Sequence, residues 1–327
     1  MNSTSIKDIS APVTEHLDRF DAYMRDQMRS RTALLDTVVR YIMRQRGKRV
    51  RPVLVFLAAG ATGGITDRAF IGATMVELLH TATLVHDDVV DQADERRGMA
   101  SINAVWKNKV AVLVGDYLLS KGLLIAVHNE EFDFLRVTSE AVRRMSEGEL
   151  LQIQKSKQKT LDEETYFRII SDKTASLIST CCEVGAIAAT PDPDVRMALR
   201  NYGELVGLAF QIRDDVLDYT SRSTILGKPV GNDIREGKIT LPLLYASKNA
   251  SRSDAQAAIK IVKSKSGKRK DIDAVQSFVV EHGGVQLAQE KAAELQHQAL
   301  ASIVHLPDTA YRSALIDFAN FVVTRTT

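Results

Sequence analysis

Two short acidic cassettes stand out by residue type and spacing. They are Asp87, Asp88 and Asp91 in HTATLVHDDVVDQADERRG, and Asp214, Asp215 and Asp218 in GLAFQIRDDVLDYT. A helix repeats every 3.6 residues, so Asp87 and Asp91 stand one above the other on one face. Like charges four apart on a helix repel, and a hard divalent cation offsets that repulsion. Mg2+ takes carboxylate oxygens, keeps several waters and shares its other positions with substrate phosphates. Arg96 and Arg97 follow shortly after, and a guanidinium suits two-point grip on phosphate oxygens. Carboxylates followed by paired guanidiniums read as a metal–diphosphate site. A solvated acidic helix face followed by a basic turn explains a single cassette equally well. The second copy shifts the balance. Both cassettes follow apolar helical runs, Ala82-Thr83-Leu84-Val85 and Leu208-Ala209-Phe210-Gln211, which implies buried helices whose acidic ends line one cavity. Six carboxylates around one space need metal ions, or several must take up protons.

Other chemistry-bearing residues flank the cassettes. In RQRGKRVR, the side chains of Arg44, Arg46, Lys48, Arg49 and Arg51 crowd around Gly47, and Pro52 is expected to open a helix over Val53 to Ala61. A basic turn ahead of a helix start suits a diphosphate, because free N–H groups and the helix dipole both favour anions. The alternative is a solvated basic loop or a nucleic-acid patch. Nucleic-acid binding would want interleaved aromatics or a recognised module, and neither is present. Asp172-Lys173-Thr174-Ala175-Ser176 places a lysine and a hydroxyl within an otherwise apolar helix. After the second cassette, Gly227-Lys228-Pro229, Gly231, Asp233, Gly237-Lys238 and Thr240-Leu241-Pro242 form a loop. Its lysines could close over phosphates, or the stretch could be an ordinary connection. Lys263 to Lys270 reads as a solvated surface loop. The C-terminal VVTRTT carries only Arg325 as a basic group and is assigned no site role.

The elements that must position these groups are helices. Apolar residues recur at i, i+3, i+4 and i+7, as in Leu34, Leu35, Val38, Val39, Ile42 and Met43, and strand-like alternation is scarce. The 7 prolines fall mostly at breaks, and no linker or composition shift divides the 327 residues. The expectation is all-α: one domain over residues 1–327, a single large helical bundle around a central cavity. Phe278, Val279, Val280, Leu315, Phe318, Phe321 and Val322 are late core candidates. A hydrophobic fraction of 45%, a charged fraction of 26% and a net charge of +2 exclude any global pull towards nucleic acid. Adjacent Cys181 and Cys182 cannot form a disulfide framework, and no Cys/His spacing suggests zinc. The N-terminal MNSTSIKDIS lacks a basic segment followed by an apolar core, so a cytoplasmic setting is expected. The longest apolar stretch, Val110 to Val127, is broken by Asp116 and Lys121 and reads as a buried helix, not a membrane span.

GKRVRP, the histidine before DDVVD, RRG, the Lys-Thr pair, FQIRDDVLD and GKPVGNDIREGKITLP occur in that order. Together they resemble the trans-isoprenyl diphosphate synthases, the polyprenyl synthetase family, from about Arg46 to Leu243. The likeness is greatest to bacterial long-chain members of the octaprenyl or solanesyl type. The resemblance implies an isopentenyl diphosphate site at Lys48, Arg51, His80 and Arg97. It implies allylic diphosphate contacts at Arg96, Lys173, Lys228 and Lys238. It implies several Mg2+ ions held by Asp87, Asp91 and Asp214, with Asp88, Asp215 and Asp218 supporting. Thr174, through its carbonyl, and Gln211, through its side-chain oxygen, would stabilise an allylic cation. His80 is read as a phosphate contact; a general base or a hydrogen-bonded core histidine are the other readings. A homodimer and a peripheral membrane contact for product release are further family expectations, and no nucleic acid is expected.

In this family the helix ahead of the first cassette lines the pocket for the growing tail, and bulky aromatics there stop growth. Here the positions four and five before Asp87 are Thr83 and Ala82, and no Phe or Tyr lies between Ile71 and Asp87. The tunnel should reach Leu79, Val76 and Met75, with Val76 roughly 16 Å along the axis from Asp87. An octaprenyl-like product, as for a quinone side chain, is the expectation; a farnesyl or geranylgeranyl product is the shorter alternative. A class I terpene cyclase would lack the second DDxxD and the GKRVRP site. A non-catalytic partner subunit tends to lose key site residues, and none is lost here.

Overall fold

Periodic apolar residues over most of the chain leave few ways to bury them except helix against helix. The computed structural model describes residues 5–45, 47–156, 162–220 and 231–326. In chain order the helices are α1 (Ile6–Ile9), α2 (Thr14–Gln27), α3 (Ala33–Arg44), α4 (Val50–Thr62), α5 (Asp67–Val90), α6 (Ile102–His128), α7 (Phe132–Ser156) and α8 (Glu163–Ile170). They continue with α9 (Ser176–Ala189), α10 (Pro193–Thr220), α11 (Asn232–Glu236), α12 (Leu241–Asn249), α13 (Arg252–Lys263), α14 (Arg269–Glu281), α15 (Gly284–Ser302) and α16 (Ala310–Thr324). The fold is all-α, as expected. The β-structure among the described residues is one two-residue hairpin, Glu95–Arg96 (β1) paired antiparallel with Met99–Ala100 (β2).

Helix α9 sits at the centre, packed against α4, α5, α7 and α10. Its apolar and small residues, including Leu177, Val184 and Ile187, are buried all round, as a helix surrounded by helices requires. Phe56 of α4, Leu78 of α5, Tyr202 of α10 and Phe318 of α16 complete the main core. A second apolar cluster, with Tyr219, Ile234, Leu243, Val262 and Val279, lies among α10–α14. Leu244 and Val285 pack against both clusters.

Several sequence expectations change in detail. Helix α4 begins at Val50, two residues before Pro52, which sits within its first turn. Val280 is exposed while Val279 is buried, because consecutive residues on a helix point about 100° apart. The stretch Val110 to Val127 is not the buried helix expected. It lies in α6, whose inner side packs on α5, while Val112, Leu113, Leu123, Leu124 and Val127 are exposed. Among the described residues, only one side of this nearly continuous apolar run finds a packing partner. By length and composition, both α5 and α6 could cross a membrane, but α5 is mostly buried inside the bundle.

Glycines set how closely the central helices approach. A Cβ on Gly185 of α9 would lie 2.3 Å from the Val55 carbonyl oxygen of α4 and 2.7 Å from Ala58 Cβ. In an open helix Gly→Ala gains about 1 kcal/mol. Here the backbone contact reverses the sign, since overpacking costs about 1–3 kcal/mol. Gly185→Ala is therefore expected to lower the urea midpoint with an unchanged slope; an equal or higher midpoint would show that α4 and α9 separate at no cost.

Candidate active site

The first cassette ends α5, with Asp91 as its C-cap. Carboxylates here meet the negative end of the helix dipole, an unfavourable place without a cation. The three aspartates are treated differently. Asp88 is buried, and Arg96 Nε and Nη2 both donate to its Oδ1, at 2.7 and 2.6 Å. Asp87 is half-buried, and burial raises its carboxyl above the usual range; Lys173 opposes this, Glu149 and Asp91 add to it, and Arg96 opposes it. Asp91 is exposed.

A basic wall stands on the Asp88 side. The hairpin turns at Arg97 (φ 54°) and Gly98 (φ 75°), a left-handed pair suited to a two-residue turn. Arg97 Nη1 donates to the Gln45 carbonyl at 2.9 Å, and its guanidinium covers Gly47, where a Cβ would lie 2.7 Å from Arg97 Cζ. His80 is buried; burial, then Arg51, Arg97 and Arg96, hold its imidazole well below the ordinary histidine pKa. Arg51 Nε is buried with no hydrogen-bond partner among the described residues, and burial lowers its pKa, with Glu77 and Cys181 opposing and Arg97 adding. An orphaned buried donor amid cations fits an anion. A cavity between α2 and α5 opens onto Gly47, His80, Asp88, Arg96 and Arg97. Lys48 is exposed.

The second cassette ends α10. Asp215 is buried, accepting from Tyr166 Oη at 2.7 Å and from Gln211 Nε2 at 2.9 Å. Burial and Asp233 raise its carboxyl well above the usual range, against these two donors. Gln211 Oε1 in turn accepts from Thr174 Oγ1 at 2.9 Å. Asp218 accepts the backbone N–H groups of Asn232 and Asp233, each at 3.0 Å, and so caps α11. Lys238 pairs with Glu236; burial works against its charge, but Asp233, Glu236 and Asp215 hold its pKa above the ordinary lysine value. Lys228 and the expected loop around it fall outside the described residues.

One irregular segment faces both cassettes. Ser171–Ala175 is a π-turn between α8 and α9, in which Ser176 N–H reaches back to the Ser171 carbonyl. Such a turn takes a carbonyl out of the α-ladder, and the Ser176 hydroxyl bonds that of Asp172 at 2.7 Å. Lys173 pairs with Glu149 of α7 and acts on Asp87, whereas Thr174 bonds Gln211. Arg144 bolts the turn in place, donating to Asp172 at 2.8 Å, Ser171 at 2.7 Å and Glu204 of α10 at 2.8 Å. Gly148 and Gly207 admit it: added Cβ atoms would lie 2.9 Å from Asp172 Cβ and 2.5 Å from Ala175 Cα.

Asp214 pairs with Arg325, a residue that carries no site role in the sequence reading. The guanidinium lies 3.9 Å over the Phe210 ring, and the Arg325 carbonyl accepts from Arg213 Nε at 2.9 Å and Nη2 at 2.6 Å. Glu149, Arg144 and Tyr166 were also missed, although Tyr166 lies seven residues before Lys173, two helical turns away. Among the described residues no three His, Cys, Asp or Glu side chains converge to hold an ion alone. Hard oxygen donors in ones and twos, with room for anionic ligands, suit a cation that completes its shell with water and phosphate. Met75, Val76, Leu79 and Ala82 are buried along α5, and half-buried Thr83 turns its hydroxyl onto the His80 carbonyl at 2.9 Å.

Residues 32–279 match the polyprenyl synthetase family. The chain is 36% identical over 321 residues to the octaprenyl diphosphate synthase of Haemophilus influenzae, covering 98% of this chain and 97% of that one. It is also 36% identical over 320 residues to the geranyl-diphosphate-specific all-trans-nonaprenyl-diphosphate synthase of Rhodobacter capsulatus, covering 98% of each. The crystal structure of a Caulobacter crescentus polyprenyl synthase, complexed with calcium and isoprenyl diphosphate, superposes with a TM-score of 0.91 at 33% identity, covering 100% of both chains. By sequence over nearly its whole length and by fold, the chain belongs to the polyprenyl synthetase family of trans-isoprenyl diphosphate synthases, and is a prenyltransferase.

Proposed function

We propose that the chain condenses isopentenyl diphosphate head-to-tail onto an allylic diphosphate, giving an all-trans polyprenyl diphosphate of octaprenyl-like length for a quinone side chain. The observation that carries this reading is the Lys173-Thr174 turn, in which Lys173 acts on Asp87 and Thr174 bonds Gln211 beside the second cassette, next to a basic wall of Arg51, His80, Arg96 and Arg97. The nearly full-length likeness to octaprenyl and nonaprenyl synthases supports the long product.

Asp87, Asp91 and Asp214 would hold Mg2+, with Asp88, Asp215 and Asp218 fixing the cassettes behind them. Bound Mg2+ supplies Lewis-acid neutralisation of the departing diphosphate. Arg96, Lys173 and Lys238 offer donors where that negative charge grows. Lys48, Arg51, His80 and Arg97 hold isopentenyl diphosphate. The allylic C–O bond breaks and its electron pair leaves with diphosphate. Gln211 Oε1 and the Thr174 carbonyl face the cation. The alkene π pair forms the new C–C bond, and loss of the adjacent proton restores a double bond. His80 is a poor acceptor for that proton, since burial and then three guanidiniums disfavour its imidazolium. The released diphosphate takes it.

Exposed Leu113, Leu123, Leu124 and Val127 on α6 support a homodimer, because contiguous apolar patches of this kind mark association surfaces. Leu124→Lys is expected to halve the mass measured by sedimentation equilibrium; a wild type already monomeric at micromolar concentration would remove the dimer.

With farnesyl and isopentenyl diphosphates and Mg2+, the purified chain should release products near eight isoprene units, and excess chelator should abolish turnover. Arrest at geranylgeranyl would overturn the length. Ala82→Phe is expected to shorten the product while leaving the first condensation within about twofold, since a bulky side chain in the tail path does not touch the diphosphates. An unchanged product would take Ala82 out of the ruler.

A further inference from the structure

The buried hydroxyl of Tyr166 has no part in the chemistry above, yet it ends a chain of hydrogen bonds that begins at Thr174. Tyr166 Oη donates to Asp215 Oδ2 at 2.7 Å, Gln211 Nε2 donates to Asp215 Oδ1 at 2.9 Å, and Thr174 Oγ1 donates to Gln211 Oε1 at 2.9 Å. A primary amide has two opposite ends. Its oxygen stabilises a nearby cation and its NH2 repels one. Asp215 Oδ1 accepts from Nε2, which turns the amide nitrogen toward the carboxyl and leaves Oε1 on the opposite side. One lone pair of Oε1 is taken by Thr174, and one remains.

The orientation is only as firm as the carboxylate that sets it. Each Asp215 oxygen has one of these two donors, and they come from different helices, α8 and α10. With both in place the carboxylate cannot rotate without losing a buried hydrogen bond. An acceptor bonded behind the amide also polarises it, drawing electron density onto the outward oxygen. We propose that Tyr166 is a positioning residue: by fixing Asp215, it holds the Gln211 amide with its oxygen toward the developing allylic cation. This rests on the prenyl-transfer reading above. The tyrosine ring packs edge-on against Phe167 at 5.5 Å, and Phe in its place keeps that packing while deleting only the hydroxyl.

Tyr166→Phe separates positioning from packing. Its circular dichroism should match wild type. With farnesyl and isopentenyl diphosphates kcat is expected to fall about 10- to 100-fold, the range for loss of a supporting hydrogen bond behind an active group, with both KM values within about twofold. The affinity for an ammonium analogue of the allylic cation, measured with inorganic diphosphate, should weaken by a similar factor. The affinity for the allylic thiolodiphosphate, which carries no positive carbon, should not change. In a Gln211→Leu background, Tyr166→Phe should cost nothing further. Equal weakening for both analogues, or a full additional loss in that background, would show that Tyr166 acts through general packing and overturn the proposal. An active wild type with an unimpaired Tyr166→Phe variant overturns this proposal alone, whereas a wild type that consumes no isopentenyl diphosphate overturns the reading beneath it.

Discussion

Two helices end in clustered carboxylates, and that electrostatic burden governs the rest of the site. The C-terminal end of a helix already carries roughly half a negative charge. Three aspartates added there, at the ends of α5 and again of α10, can be kept only if each finds its own compensation. The structure gives nearly every one a different solution. Asp88 is held by a guanidinium, Asp215 by a phenol and an amide, Asp218 by two backbone N–H groups, and Asp214 by Arg325. Asp87 and Asp91 are left with the least: a lysine already shared with Glu149, and solvent. Three of the carboxylates that the protein satisfies, Asp88, Asp215 and Asp218, are therefore the supporting ones, while Asp214 would have to share Arg325 with a cation. Those least satisfied are where an external cation has most to offer.

Compensation of this kind works only if the partners cannot drift. The π-turn at Ser171–Ala175 is the clearest case. It breaks helical regularity where α8 meets α9, and a bulge of that sort survives only when its surroundings leave no alternative. Gly148 and Gly207 remove the side chains that would collide with it, and Arg144 ties it to α10. The same logic of close approach runs through Gly185 and Gly203, which bring α9 against α4 and α10. Core packing and site geometry are thus one construction, since α9 carries both.

Much of this was legible in the sequence, because the residues that do chemistry come in tight local groups. DDVVD, FQIRDD and GKRVRP announce themselves within a few residues, and helical periodicity is a local property too. What was not legible depends on contacts between distant segments. Asp87 and Asp88 are the same residue side by side, yet only the fold makes one half-buried and the other buried against Arg96. Arg325 reaches Asp214 across 111 positions, and nothing in VVTRTT predicts it. Tyr166 carries a weak signal, two turns before Lys173, but without Asp215 in view it reads as core. The apolar run in α6 was misjudged for a related reason: hydrophobicity says that a face needs a partner, not that the partner is in the same chain.

The doubled aspartate has a geometric consequence of its own. Neighbouring residues on a helix diverge by about 100°, so Asp87 and Asp88 cannot look the same way. Asp87 is turned to Lys173 and Glu149, while Asp88 is turned to Arg96 and the cavity that contains His80 and Arg97. One helix end therefore borders two basic environments at once. An anion beside Lys173 and a second anion beside Arg51 and Arg97 would stand on different sides of α5, with Arg96 acting on both Asp87 and His80. Two diphosphates brought together in water repel strongly. On the function proposed above, the backbone of a single turn would keep them apart while leaving each with its own cations. The apolar parts of the two molecules would then be free to meet between them. A DD pair, rather than one aspartate, would let a single helix terminus serve both.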